Sequence, residues 1–350
     1  MKKDNGRGIR KPEMKKFQRD LLYRVNEIKE HYKADRNAPM EKWFTADQVC
    51  QILDIYAGMS DASANIVCKR ENVSCHIFGG FYGDAFKMKD ALSNITAIDL
   101  SDLERQEYGN YNNSDLYIFL GNYLGGCVYG INVIMTVMAM GLIFPKHVKF
   151  IIGHTELECT NPSTSCTYKE QCIALYGEAD GNKVFNKLVQ AINNLPLICF
   201  LNDMLCVSGG PPTNESDFDA EQLKQWKVHL GIKGNEYSIN TMKSCALNEV
   251  IAHEQIEDKV DSIKQNGRVV WCLDDIAEFC RSKFIKTLVS NHHITWRYER
   301  ETKAKIMIRI LLCNSSPYAA FSIGSQNWDI AYLRVHFENG EMKNFSFEKF

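Results

Sequence analysis

The sequence has no dense stripe of lysine and arginine, no Cys-x-x-Cys pair, no apolar run of membrane-spanning length and no internal repeat. Each absence excludes a class. Phosphate backbones are gripped by clustered cations, so a chain of formal net charge -2 with scattered Lys and Arg has no electrostatic footprint for nucleic acid. The 13 cysteines, from Cys50 to Cys313, lack ligand spacing (Cys159, Cys166 and Cys172 are too far apart for a compact pair), and several sit inside apolar runs such as Ile198-Cys199-Phe200. They read as small core residues of a protein in a reducing compartment. The longest apolar stretch, Gly130 to Phe144, is about 15 residues and carries Asn132 and Thr136. That is short of the roughly 18 to 20 residues that cross a bilayer, so a buried helix is expected and a membrane partner is not. Met1 to Lys16 is polar and basic with no apolar segment behind it, so neither a secretory signal nor an anchor is expected. The expected location is the cytoplasm and/or nucleus, and the sequons at Asn72, Asn94, Asn214, Asn314 and Asn344 read as chance matches.

A composition of 45% hydrophobic and 24% charged residues is that of an ordinary globular chain with one sizeable core. The expected organisation is a disordered basic tail over 1–13 and a single domain over 14–350. Phe17, Leu21, Leu22, Val25 and Ile28 recur at helical spacing, and a second helix fits Thr45 to Tyr56 with Thr45 as its cap. Short apolar runs follow at Cys75–Phe78, Leu116–Leu120, Val148–Ile152, Leu197–Phe200, Met204–Val207 and Ile306–Cys313, mostly separated by helix-length segments, which is an α/β pattern. Near the end, Ile330–Phe337 and Met342–Phe347 alternate around Glu338-Asn339-Gly340-Glu341, a strong hairpin signal. Asp99–Asp115 and Gly210–Asp219 read as surface loops, the first a possible partner contact but more simply a solvated insertion.

The chemistry should lie in glycine turns that follow the strands. Gly79-Gly80-Phe81-Tyr82-Gly83, Gly121-Asn122-Tyr123-Leu124-Gly125-Gly126, Gly153-His154-Thr155-Glu156, Ser208-Gly209-Gly210 and Asn291-His292-His293 follow in that order. They resemble the blocks GDxHG, GDxVDRG, GNHE, HGG and RxH of the metal-dependent serine/threonine phosphoprotein phosphatases, most nearly the protein phosphatase 1 branch. Pro145 and Gly153 stand at family distances from Gly121, and Asn194-Leu195-Pro196-Leu197 and Ser315-Ser316-Pro317-Tyr318 resemble further family segments. The resemblance spans Phe44 to Phe350. It implies a calcineurin-like metallophosphatase fold of class α/β: a central sandwich of two mixed β-sheets flanked by helices, closed by a C-terminal β-hairpin.

Family chemistry uses two metal ions bridged by a carboxylate, which activate water and clamp the phosphoryl oxygens. Carried over one at a time, the family ligand positions fall on Gly80, Tyr82, Asn122, His154, Ser208 and His293, and only His293 keeps its type. The proton-donor His falls on Thr155, the Asp that orients it on Gly125, and the phosphate-binding arginines on Gly126 and Asn266. Glycine offers no ligand atom, and neutral Asn122 stands where a bridging anion must offset about four positive charges. The resemblance therefore implies no catalytic residue, no metal and no cofactor, the expected role being protein binding or competition. Neutral side chains suit a metal-free pocket in which facing carboxylates would repel.

Three other readings stand beside this one. A divergent phosphatase with weak activity would retain a metal through His154 and His293, and would use manganese, iron or zinc. A replacement site from His154, Glu156, His292 and His293 is opposed by geometry, because adjacent residues of a strand point to opposite faces. A third reading makes the resemblance fortuitous, and it fails if the loops bearing the five blocks converge. Glu156 matches the family Glu and reads as a support for the site. The expected partners are proteins, phosphatase regulatory subunits among them, docking by strand addition near the closing strands. Phe345 and Phe347 are the candidate contacts, with core packing of the hairpin as the simpler reading. Lys343 or Asn344 stands where the family groove is apolar, and the correspondence slips by a residue there.

Overall fold

The computed structural model describes residues 11–31, 41–58, 65–94, 115–125, 127–161, 165–212, 249–250, 263–265, 268–291, 296–301, 307–313 and 331–349. The expectations for residues 1–10, 99–114, 213–219 and 315–318 lie outside these.

Helix α1 (Lys11–His31) buries Phe17, Leu21, Leu22, Val25 and Ile28, the stripe its spacing predicts. It begins inside the segment expected to be a tail, because Pro12 is tolerated in a first helical turn, whose N–H groups have no intrahelical partner. Helix α2 (Ala46–Ala57) starts at a capping box: Gln48 N–H donates to Thr45 Oγ1 over 3.2 Å, and Thr45 N–H donates to Gln48 Oε1 over 3.0 Å. After α3 (Ala85–Asn94), helix α4 (Gly130–Ile143) is apolar on every side and buried almost throughout, as its composition predicts. Its two polar residues are satisfied. Asn132 donates to Glu41 O (2.8 Å) and accepts from Trp43 N–H (3.3 Å), while Thr136 Oγ1 donates to Asn132 O (2.8 Å). Helices α5 (His154–Cys159), α6 (Cys166–Tyr176), α7 (Glu178–Ile192) and α8 (Leu273–Ser282) complete the described set. No described helix is long and apolar enough to cross a membrane.

The strands are β1 (Asn65–Cys68), β2 (Val73–Phe78), β3 (Leu116–Phe119), β4 (Val148–Phe150), β5 (Ile198–Leu201), β6 (Met204–Val207), β7 (Glu249–Val250), β8 (Ile263–Gln265), β9 (Arg268–Trp271), β10 (Thr287–Asn291), β11 (Trp296–Glu301), β12 (Met307–Cys313), β13 (Ala331–Glu338) and β14 (Glu341–Lys349). Two mixed sheets dominate, ordered β1-β5-β6-β10-β12-β11 and β14-β13-β2-β3-β4, and β7-β9-β8 forms a small third. The inner faces of the large sheets meet in one apolar cluster that includes Cys75, Ile77, Ile118, Cys206, Val289, Leu311, Leu333 and Val335. A second cluster packs α1, α2, α4 and α7 against aromatic residues such as Phe78 and Phe119. Alternation along β2 feeds both, with Cys75 and Ile77 in the first and Phe78 in the second. The predicted hairpin is β13–β14, turned by Asn339 (φ 51°) and Gly340 (φ 77°), the left-handed pair of a type I′ turn.

Candidate functional site

β2, β3 and β4 run parallel in one sheet and β6 and β10 run parallel in the other, and the glycine turns leave their C-terminal ends. Ligand sites in α/β sheets form at such ends. The loops meet. A Cβ on Gly80 would lie 2.6 Å from Tyr82 Cε2, 2.9 Å from Asn291 Nδ2 and 3.0 Å from Asn122 Cβ. A Cβ on Gly153 would collide with both Asn122 Oδ1 and Ser208 Oγ. Gly80, Tyr82, Asn122, Gly153, Ser208 and Asn291 thus share one point, and the reading in which the resemblance is fortuitous fails.

Glu156 holds the turn after β3. Fully buried, it accepts from the N–H groups of Asn122 (2.8 Å, Oε2), Tyr123 (2.8 Å, Oε1) and Leu124 (2.9 Å, Oε1). It also accepts from Gly153 N–H (2.8 Å) and from the Thr155 hydroxyl (2.9 Å). Successive N–H groups converging on one carboxylate replace the hydration that burial removes. Tyr123 buttresses the same turn: its hydroxyl lies 2.8 Å from Ile151 O and accepts from Gly121 N–H at 3.1 Å. Burial, with Glu156 adding to it, pushes that phenol well above its ordinary pKa.

The Tyr82 side chain lies where these loops meet. Its hydroxyl accepts from Asn122 Nδ2 (3.0 Å) and Asn291 Nδ2 (3.3 Å). The amide orientations follow from their other partners, since Asn122 Oδ1 accepts from Thr155 N–H (3.2 Å) and Asn291 Oδ1 from Gly80 N–H (2.7 Å). Tyr82 (φ 50°) and Asn122 (φ 55°) both hold left-handed backbone, uncommon for a bulky residue such as tyrosine. Asn291 had no role assigned from the sequence. The available signal was its place at the head of the block Asn291-His292-His293, where the buried strand Thr287–Asn291 ends.

The other predicted positions divide. Ser208 is buried, and among the described residues its hydroxyl has no hydrogen-bond partner. His154, at the start of α5, lies one helical turn from Glu158, with Nε2 2.7 Å from Oε1. Gly125 and Thr155 are neighbours, 3.2 Å from a Gly125 Cβ to Thr155 Cγ2, but the Thr155 hydroxyl proton goes to Glu156. Gly126, Asn266 and His293 lie outside the described residues. Among the described residues no group of three or more His, Cys, Asp or Glu side chains is arranged to hold a metal ion.

At the closing hairpin Phe345 and Phe347 are half-buried, packed against the inter-sheet cluster and edge-on to each other with ring centroids 6.4 Å apart. His336 pairs with Asn344 but Phe337 with Met342, so Lys343 is the extra residue of a β-bulge. Beside it lies a cavity of about 280 Å³ with Met204, Met307, Phe337 and Met342 among its lining residues. Lys286 and Asp203 also line it, their charged groups 2.7 Å apart.

The fold is that of the calcineurin-like metallophosphatases. A solved serine/threonine phosphatase of Saccharomyces cerevisiae, described as similar to human phosphatase PP5, superposes with a TM-score of 0.59 over 88% of this chain and 91% of that one, at 12% identity. No family model matches the sequence. Among curated proteins the chain is 24% identical over 226 residues to serine/threonine-protein phosphatase BSL2 of Arabidopsis thaliana, 62% of this chain and 20% of that protein. It is 27% identical over 104 residues to the PP2A-like phosphatase PPG1 of Saccharomyces cerevisiae, 29% of this chain and 27% of that protein. Over part of its length the chain is similar to these serine/threonine phosphatases, and it spans well under half the length of either curated relative.

Proposed function

We propose that the chain is a pseudophosphatase, a serine/threonine phosphatase fold lacking most of the family's metal ligands that acts by binding proteins, including by competing for regulatory subunits of active phosphatases. The observation that carries this reading is the Tyr82 side chain, seated between Asn122 and Asn291 where the family would place metal ligands. A metal pair does not fit the side chains present. Gly80 supplies no donor, Asn122 supplies no charge and already spends its amide on Tyr82 and Thr155 N–H, and His154 faces Glu158. Thr155, which stands at the proton donor's position, gives its own proton to Glu156.

What a closed scaffold retains is surface. Among the described residues β14 ends its sheet, as strand addition by an extended peptide requires, and the cavity beside the bulge at Lys343 is lined by Met204, Met307, Phe337 and Met342 together with charged Asp203, Lys286, Arg309 and Glu341. The occupant we assign is an extended segment of a phosphatase regulatory subunit. Titration of fluorescently labelled regulatory subunits with the full chain tests this. Micromolar or tighter binding that Met342→Asp weakens at least tenfold supports the reading. Absence of binding, or equal binding by wild type and variant, counts against it.

A further inference from the structure

Helix α8 closes with a Schellman arrangement: Ile285 N–H donates to Cys280 O over 2.9 Å, and Phe284 N–H donates to Arg281 O over 3.4 Å. The residue at the position of Phe284 in this motif takes left-handed backbone, which is why glycine is usual there. Phe284 takes it all the same, at φ 57°. Of the other non-glycine residues described with positive φ, Asn122, Asn202 and Asn339 are of the type that tolerates it, and the Tyr82 ring is held by Asn122 and Asn291. The Phe284 ring has no such use within the chain. It is 82% exposed, the most exposed of the large apolar and aromatic side chains described. Neither backbone preference nor burial accounts for an aromatic residue at this turn.

Two residues further on, Lys286 lines the cavity of about 280 Å³ beside β14. Exposure alternates along Phe284-Ile285-Lys286 and only Ile285 is buried, so Phe284 and Lys286 stand on the same side of the chain, within roughly 7 Å of backbone. The cavity is small beside the roughly 300–1,000 Å³ of pockets for small molecules, and is of a size for one large side chain. Methionines in its wall adapt to an aromatic ring. Its charged lining is balanced, Asp203 and Glu341 against Lys286 and Arg309. A surface carrying both signs in equal number can face its own copy without the repulsion that a single-sign patch would meet.

We propose that the chain associates with a second copy of itself as a two-fold dimer, in which the Phe284 ring of each copy enters the cavity beside β14 of the other. Projecting ring and cavity lie side by side on one chain, so a two-fold axis between them satisfies both at once and the contact closes at two copies. Each ring buries about 200 Å² and covers a similar area of cavity wall, which makes about 800 Å² for the pair of contacts, below the roughly 1,200 Å² of stable complexes. The dimer is therefore weak and sensitive to concentration. It does not depend on the regulatory subunits assigned to this cavity above, but it would exclude them, so self-association would set how much of the protein is open to a partner.

Sedimentation equilibrium of the full chain, at protein concentrations up to about 1 mM, tests this. The expected result is a reversible monomer–dimer equilibrium that Phe284→Gly and Met342→Asp each weaken at least tenfold. Phe284→Gly supplies the residue that the left-handed position favours, so its thermal melt should be no lower than that of the wild type, and a lost dimer is then a lost contact and not a lost fold. Tyr23→Ser, which removes an exposed aromatic ring from α1, should leave the equilibrium unchanged. Because Phe284→Gly keeps the cavity intact, it should lose the dimer without losing any binding of regulatory subunits, and a dimer with these variant effects supports the contact whether or not such subunits bind. A wild-type chain that stays monomeric at every concentration, a dimer as strong in Phe284→Gly as in the wild type, or assemblies that grow beyond two copies would overturn the proposal.

Discussion

Gly80 and Tyr82 form one structural unit: the ring atom Tyr82 Cε2 lies 2.6 Å from where a Cβ on residue 80 would stand, so the tyrosine sits where it does only because residue 80 has no side chain. Restoring a carboxylate at this position is therefore a packing change as well as a charge change. Gly80→Asp should destabilise by about 1–3 kcal/mol, the usual cost of overpacking a filled site. Gly80→Asp combined with Tyr82→His, which shortens the ring, should be less destabilised than the sum of the single changes. Urea denaturation of the two single variants and the double checks this, and strict additivity would show that the two residues are independent.

Glu156 is the keystone of the pocket. Glu156→Gln turns one accepting oxygen into a donor that faces backbone N–H groups, and Glu156→Ala leaves the N–H groups of Asn122, Tyr123, Leu124 and Gly153 buried without an acceptor. Each unsatisfied buried donor costs about 1–3 kcal/mol, so either variant should lose several kcal/mol or fail to fold. Chemical denaturation measures it, and a loss below about 1 kcal/mol would show that the turn does not depend on this carboxylate.

His76 gives the protein an acid sensitivity. It is buried and stacked between Tyr117 (5.0 Å) and Tyr332 (5.8 Å); among the described residues neither ring nitrogen has a hydrogen-bond partner, and Asp115 Oδ2 stands 4.0 Å from Nε2. Burial lowers its pKa, with Arg334 acting in the same sense and Asp115 and Glu348 opposing. Because the folded value lies below the ordinary 6.5, the unfolded chain binds the proton first as pH falls. The contribution is fully present above about 6.5 and is lost as pH falls from there through the lowered folded value. His76→Phe, which keeps the stack, should flatten stability against pH across that window. An unchanged slope would place the acid sensitivity elsewhere.

Two left-handed glycines separate backbone strain from collision. Gly340 (φ 77°) has nothing within 4 Å of an added Cβ, so Gly340→Ala should cost about 1 kcal/mol, the backbone penalty alone. Gly121 (φ 91°) faces the backbone of Ile152 and Gly153, with Ile152 C 2.7 Å from the added atom. Gly121→Ala should therefore cost several kcal/mol more and loosen the contact between the β3 and β4 turns. Thermal melts of the two variants test the ordering, and equal losses would contradict it.

Periodicity and turn chemistry are local, which is why α1, the capped α2, the buried α4 and the Asn339-Gly340 hairpin were legible in the sequence. The five blocks are equally legible as positions, and each has a residue at the point where Gly80, Asn122, Gly153, Ser208 and Asn291 meet. Less legible was what depends on distant partners. The short β1 and the strand Thr287–Asn291 gain their identity from parallel neighbours far away in sequence, β5 for one and β6 and β12 for the other. The seat of the Tyr82 ring and the role of Asn291 depend on a gap that only the missing Gly80 side chain creates. The bulge at Lys343 is set by the pairing with β13 and has no local signal in the sequence.

The central claim is that this pocket is chemically silent, and calorimetric titration of the purified chain with manganese and zinc, with phosphopeptide hydrolysis followed on the same sample, tests it most directly. The account predicts no stoichiometric metal binding in the pocket and no hydrolysis above a blank. Stoichiometric binding together with turnover that is abolished by His154→Ala or His293→Ala would contradict it.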